Sequence, residues 1–284
     1  NKAQASLRTP KRLACMLITA LGRETLVMGV LNVTPDSFSD GGQFVNVETA
    51  VARARAMVAD GAHLIDVGGE SSRPGAEAIT PALEQARVLP VIDQLAEEKI
   101  PFSIDTYHAD TARRALALGA GMVNDITALR GDPAMVEVVA EAGCACVLMH
   151  MLGTPKTMQE SPHYDDVVDD LCKFFEERIH FATKLGVREE HIWIDPGFGF
   201  GKTPAHNLEV LRRLAEFRRL GRPILIGTSN KSTIGVVLEV GVDDRMEGTA
   251  ATVAIAIANG ADAVRVHDVR RMARVARMAD AIIR

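Results

Sequence analysis

The chain has little of several things, and each scarcity narrows the reading. Among its 284 residues are 1 Trp, 2 Tyr and 9 Phe. Ala, Val, Ile and Leu must therefore build most of the interior, which suits helices packed on a sheet. There are 4 cysteines, Cys15, Cys144, Cys146 and Cys172, too few and too scattered for a secreted disulfide scaffold. No second cysteine pair completes a zinc site with Cys144 and Cys146, so we expect reduced core thiols. No apolar run approaches the ~18 residues that span a bilayer. Residues 1–12 mix polar and basic types without the apolar stretch of a signal peptide, and the chain does not start with Met. We expect a trimmed N-terminus, a cytoplasmic protein and no membrane partner. Positive charge is not in excess either: the net charge is -5, which gives no broad basic face for nucleic acid.

What is present is alternation. Short β-branched runs at 26–33, 63–67, 101–104, 122–124, 144–149, 191–194, 223–226 and 263–266 are separated by segments of helical period. The helices are expected near 47–59, 81–98, 109–118, 133–141, 165–185, 204–220, 248–259 and 270–283, with Asn46 near one start and Pro133 in a first turn. Gly61, Gly119, Gly143 and Gly186 follow helix ends. Eight βα units in about 260 residues favour closure into a single eight-stranded β/α barrel over an open doubly wound sheet. We assign residues 26–284 to the barrel and residues 1–25 to an N-terminal flap, a hairpin over Leu7–Thr25 closing one barrel end. The Gly-rich run at 197–201 follows the sixth strand and is a weak nucleotide signal.

Polar residues mark the strand ends: Asn32, Asp66, Asp105, Asn124, His150, Asp195, Ser229 and His267. Strands of a parallel barrel are buried on both faces, so an amide or carboxylate there must be paired or face a ligand. Any one could be a helix cap, but eight at equivalent ends point to the catalytic rim of a barrel. Two long glycine-containing loops, 34–42 and 68–75, have the composition of lids, though inert connections can look the same. Arg265 and His267 share one face of the last strand and are candidate phosphate ligands; an ion pair with Asp268 or another carboxylate is the plainer reading.

Several segments occur in one order: Met28–Gly42 (MGVLNVTPDSFSDGG), Ile65–Gly75 (IDVGGESSRPG), Ile104–Thr106, Asn124–Ile126, Leu148–Met151, Asp195–Phe200 (DPGFGF), Ser229 with Lys231 and Ser232, and Arg265–Asp268 (RVHD). Together they closely resemble the dihydropteroate synthase family of pterin-binding TIM barrels, from about Leu26 to the C-terminus. That resemblance implies condensation of 6-hydroxymethyl-7,8-dihydropterin diphosphate with 4-aminobenzoate, releasing diphosphate, in folate biosynthesis, by an enzyme that sulfonamides target. It implies pterin binding by Asp105, Asn124, Ile126, Met149, Asp195 and Lys231, with Asp105 and Lys231 catalytic. Asn32, Arg265 and His267 would hold the diphosphate, with Mg²⁺ at Asn32. Phe38, Ser72, Arg73, Pro74, Phe200, Ser229 and Lys231 would shape the aminobenzoate site. It further implies a homodimer of helix-to-helix type. Two departures stand out. Asn230 occupies the place where the family usually carries Arg, which bears on the aminobenzoate side, and Ser72 stands where Thr is common. A methyltetrahydrofolate:corrinoid methyltransferase is one rival reading, which would not need the Ser-x-Lys loop with Arg265-x-His267 as a diphosphate site; a non-catalytic pterin-binding homologue is the other, which would bind pterin without turnover.

Overall fold

The computed structural model describes residues 17, 19, 21–34, 43–73 and 75–284. Eight parallel strands form its centre: β1 Leu26–Asn32, β2 Leu64–Gly68, β3 Phe102–Asp105, β4 Met122–Asp125, β5 Ala145–Met149, β6 Ile192–Asp195, β7 Leu225–Ile226 and β8 Ala263–Val266. Neighbours in sequence are neighbours in the sheet, and β1 pairs with β8. The remaining seam, β6 to β7, closes through a parallel bridge between Ile194 and Ile224 and a 3.0 Å bond from the Ile194 amide to the Pro223 carbonyl. The molecule is a TIM barrel.

Among the described residues the helices are α1 Gln43–Ala59, α2 Pro81–Glu97, α3 Ala109–Leu118, α4 Met135–Ala142, α5 Val167–Lys184, α6 Pro204–Arg212, α7 Ser232–Leu238, α8 Met246–Ala258 and α9 Val269–Ile283. Their starts are set by side-chain caps. Thr80 accepts the Leu83 amide, Asp166 the Val168 and Asp169 amides, and Asp268 the Arg271 amide. Gly61, Gly119, Gly143 and Gly186 all have positive φ just past helix ends, as their spacing predicts.

Some boundaries differ from expectation for identifiable reasons. Helix α1 starts at Gln43, ahead of Asn46, so Asn46 is not its cap. Asp132 works outside a helix, accepting the Ala134 amide, and α4 begins only at Met135. The segment 204–220 is α6 followed by a 3₁₀ stretch, Leu214–Leu220. Helix α7 is short and β-branched and escapes a periodicity search. Of the segment expected as a hairpin flap, Leu17 and Thr19 are helical, and most of the rest lies outside the described residues.

Strand parity sorts the core into layers. Outward-facing residues such as Val27, Leu31, Ile65, Ile104, Val123, Cys146 and Ile194 join the helices in the main apolar cluster. Inside the barrel the floor is apolar: Leu26, Met28, Leu64, Met122, Val147, Trp193 and Ala263, with Leu17 beneath them. One step of two residues further along, the inward positions turn polar. Leu64 gives way to Asp66, Met122 to Asn124, Trp193 to Asp195 and Ala263 to Arg265. The barrel is thus sealed below and functional above.

Candidate active site

The polar layer starts with Asp66. It lies in mid-strand, two residues short of the end of β2, and is fully buried. Its carboxylate accepts Arg265 Nε at 2.6 Å, the Ser103 hydroxyl at 2.6 Å and Asn124 Nδ2 at 3.0 Å. Arg265 reaches past it, and Nη2 donates to Asp105 Oδ2 at 2.6 Å. The register places Asp105 beside Asn124 and Gly68, and two carboxylates of adjacent strands with one guanidinium form a single charged unit. The ion-pair partners of Arg265 are therefore Asp66 and Asp105; Asp268 is occupied in capping α9.

With its amide nitrogen held by Asp66, Asn124 has Oδ1 left over, buried and without a partner. Leaving an acceptor buried and unpaired costs about 1–3 kcal/mol, so it marks a place where a donor binds. Asp195, at the end of β6, accepts the Gly197 amide with Oδ1 at 2.7 Å. Lys231 follows β7; its Nζ stands 4.0 Å from the centre of the Phe200 ring. Ile126, Met149 and Phe200 form one apolar patch with Met151, Met158 and Tyr107, a wall on which a flat ring can rest. Asn32 closes β1, with its Oδ1 next to Gly68, whose missing side chain keeps the space toward Asp105 open.

Charge is tuned by burial. Burial pushes the Asp105 carboxyl up to about 7, with Arg265 pulling it down and Asp66 pushing it up. Asp195 is likewise raised by burial. Burial and then Arg265 bring Lys231 down to about 8. His267 falls to about 4 through burial and the charges of Arg265 and Lys231, with Arg73 adding to the effect. The expected pair of cationic phosphate ligands is thus one cation, Arg265, and one neutral imidazole. Ser229 Oγ accepts the His267 amide at 3.3 Å and meets Nδ1 at 3.0 Å, which fixes the plane of the imidazole at the barrel mouth.

A single fold family accounts for this arrangement. The model of the family described as "Pterin binding enzyme" matches residues 28–267. The chain belongs to that family. It is 48% identical over 265 residues to a dihydropteroate synthase of Synechocystis sp., covering 93% of this chain and 92% of the relative. Among solved structures, a dihydropteroate synthase from Clostridium difficile, determined in the presence of pteroic acid, superposes with a TM-score of 0.88 at 49% identity, covering 93% and 98% of the two chains. One from Xanthomonas albilineans, with 4-aminobenzoic acid, gives 0.85 at 42% identity over 91% and 93%.

In this pterin-binding enzyme the structure gathers Asn32, Asp105, Asn124, Ile126, Met149, Asp195, Phe200, Ser229, Lys231, Arg265 and His267 at one barrel end. Ser72 is half-buried and lines a cleft with Asp105 and Ile126, while Arg73 is exposed. Phe38 and Pro74 lie outside the described residues. His150 is the exception: it follows inward-facing Met149, so parity turns it outward, edge-on to Phe174 at 4.8 Å and bonded to Lys202.

Two groups had no individual signal in the sequence. Glu70, in the loop after β2, accepts the Tyr107 hydroxyl at 2.5 Å and meets His108 Nε2 at 3.2 Å. This anchors the stem of that loop to the segment after Asp105. Around β7, Arg245 Nη1 donates to the Asn230 carbonyl at 2.8 Å, and Thr249 Oγ1 accepts the Asn230 amide at 3.3 Å. Asn230 itself has φ 57, a left-handed conformation that asparagine tolerates better than most side chains. The departure from arginine at this position matches the backbone that the turn adopts.

Proposed function

We propose that the chain is a dihydropteroate synthase, joining 6-hydroxymethyl-7,8-dihydropterin diphosphate to 4-aminobenzoate with release of diphosphate, a step of folate biosynthesis. The observation that carries this reading is the unpaired Asn124 Oδ1, buried near Asp105 and Asp195. A pterin presents amine, amide and ring nitrogens along one edge, and two carboxylates with one amide oxygen complement those donors. Lys231 faces the same space and offers a donor to the pterin carbonyl or a ring nitrogen. Ile126, Met149 and Phe200 would pack on the ring faces.

Diphosphate would sit above Asn32, Arg265 and His267, receiving the guanidinium charge and a hydrogen bond from the imidazole. Among the described residues no three acidic, histidine or cysteine side chains converge as a metal cage. A Mg²⁺ ion held mainly by diphosphate oxygens and water, with Asn32 Oδ1 as protein ligand, fits this donor set, and when bound it would offset charge on the leaving group.

The reaction breaks the bond between the pterin methylene carbon and the diphosphate oxygen, and both bonding electrons leave with diphosphate. The methylene cation left behind is stabilised by the Asp105 carboxylate. As diphosphate draws Arg265 toward itself, Asp105 loses its counter-charge when positive charge develops beside it. The arylamine nitrogen then forms the new C–N bond and loses a proton to solvent. Ser72, Arg73, Phe200 and Ser229, with Phe38 and Pro74 of the two loops, would shape its site. Mixing the protein with both substrates should yield dihydropteroate and diphosphate in equal amounts. Methyl transfer from methyltetrahydrofolate to a corrinoid, without diphosphate release, would overturn this reading.

A homodimer is part of the proposal. Val236, Val237, Leu238, Val242, Ile255, Met278 and Ile282 are exposed on α7, the turn after it, α8 and α9, an apolar grouping suited to a second copy. Sedimentation should give twice the monomer mass. Among the described residues no helix is long and apolar enough to cross a membrane. The buried unpaired thiols of Cys144, Cys146 and Cys172 fit a reducing compartment such as the cytoplasm.

A further inference from the structure

The turn after β6 is built from Gly197, Gly199 and Gly201 at φ 68, 86 and 63. It lies directly on the chain leaving β5: a side chain at Gly197 would overlap the His150 carbonyl oxygen. Beneath it runs the side chain of Lys202, which is only 2% exposed. Its Nζ meets the Gly197 carbonyl at 3.1 Å, the Phe200 carbonyl at 3.1 Å and His150 Nδ1 at 2.9 Å. Burial brings Lys202 down to about 7, and none of its three partners is a carboxylate. Burial and then the charge of Lys202 hold the His150 pKa well below its usual value, so the imidazole is neutral, and a single hydrogen is shared between its Nδ1 and Lys202 Nζ.

Burying an amine is costly unless its hydrogen bonds are made, and all three of these contacts are made inside the fold. The three bonds converge on the segment that sets two substrate contacts. Gly197 donates its amide to Asp195, and Phe200 places its ring against Lys231. The same turn is tied across the mouth, since Gly199 donates to Asn207 Oδ1 at 2.8 Å and Asn207 Nδ2 donates to Thr233 Oγ1 at 2.9 Å, two residues past Lys231. We infer that Lys202, with His150 as its hydrogen-bond partner, is a positioning residue that locks the turn from Gly197 to Phe200 and so fixes Asp195 for the pterin and Phe200 for the arylamine. This rests on the function proposed above.

The test uses Lys202→Met, His150→Leu and the double variant, by steady-state kinetics and by hydrogen exchange of the peptide 195–203. Lys202→Met should raise KM for both substrates about 5-fold or more, with a smaller fall in kcat, because contacts and not the chemistry are displaced. His150→Leu should act in the same direction, and the double variant should be no worse than Lys202→Met, because both act through one network. Exchange in 195–203 should quicken about 10-fold, with the strands of the barrel unchanged. If Lys202→Met does not fold, His150→Leu, which leaves Lys202 its two carbonyls, carries the test. Unchanged KM and unchanged exchange, with activity only scaled down, would overturn the inference. A wild-type protein without turnover would overturn the proposed function alone, and the exchange data would still decide the role of Lys202.

Discussion

Replacing Asp66 tests how the charged unit is held together. Asp66→Asn is nearly isosteric, and the amide can keep every hydrogen bond. Its oxygen can take the place that accepts Arg265 Nε and Asn124 Nδ2, while its NH₂ faces Ser103 Oγ. What is lost is charge, so a charge-assisted bond becomes an ordinary one at a cost of about 1–2 kcal/mol. Asp66→Ala also removes the acceptors and should cost about 3–5 kcal/mol. For 284 residues the unfolding entropy is about 0.6 kcal/mol/K, so Tm should fall by about 3 °C and about 7 °C respectively. Function should respond separately. Asp66 pushes the Asp105 carboxyl up, and without it Arg265 serves Asp105 alone. The acid limb of kcat/KM should therefore move below its wild-type position near pH 7 in both variants. Thermal melts and a pH series of initial rates measure both effects. If both variants melt within 1 °C of wild type and the acid limb stays in place, Asp66 does not organise the site.

Other outcomes follow from the same geometry. Asp105 carries its charge only above a pKa of about 7, and Lys231 only below about 8, so kcat/KM should be a narrow bell between those limbs. Lys231→Arg should move the alkaline limb beyond pH 10 in rate measurements, whatever it does to the maximum. Asn230→Arg should lose about 1 kcal/mol in urea unfolding because of its φ of 57, while Asn230→Gly should be close to neutral. If Asn230→Arg is instead as stable as wild type, the turn's backbone does not explain the departure.

Much of the barrel and its working end can be read in advance because strand burial leaves few reasons for polar side chains. Asn32, Asp105, Asn124 and Asp195 stand where parity and strand ends put them. His150 shows how the reading fails: one residue beyond Met149, it belongs to the outer face, and counting parity from Val147 would have told the two apart. Asp66 sits one layer lower than a strand end because β2 continues through Val67 to Gly68. Lys202 had no signal, since its partners are two backbone carbonyls and a ring nitrogen from a distant strand end. The neutrality of His267 depends on burial beside two cations, which no local pattern encodes.

The most direct test of the account is diphosphate release by the wild type and Asp105→Asn, with pterin diphosphate affinity measured alongside. The wild type should release diphosphate only when 4-aminobenzoate is converted. Asp105→Asn should lower kcat by about 100-fold or more while weakening pterin binding less than about 10-fold, because the carboxylate acts mainly on developing charge. No diphosphate from the wild type, or equal losses of turnover and binding in the variant, would contradict it.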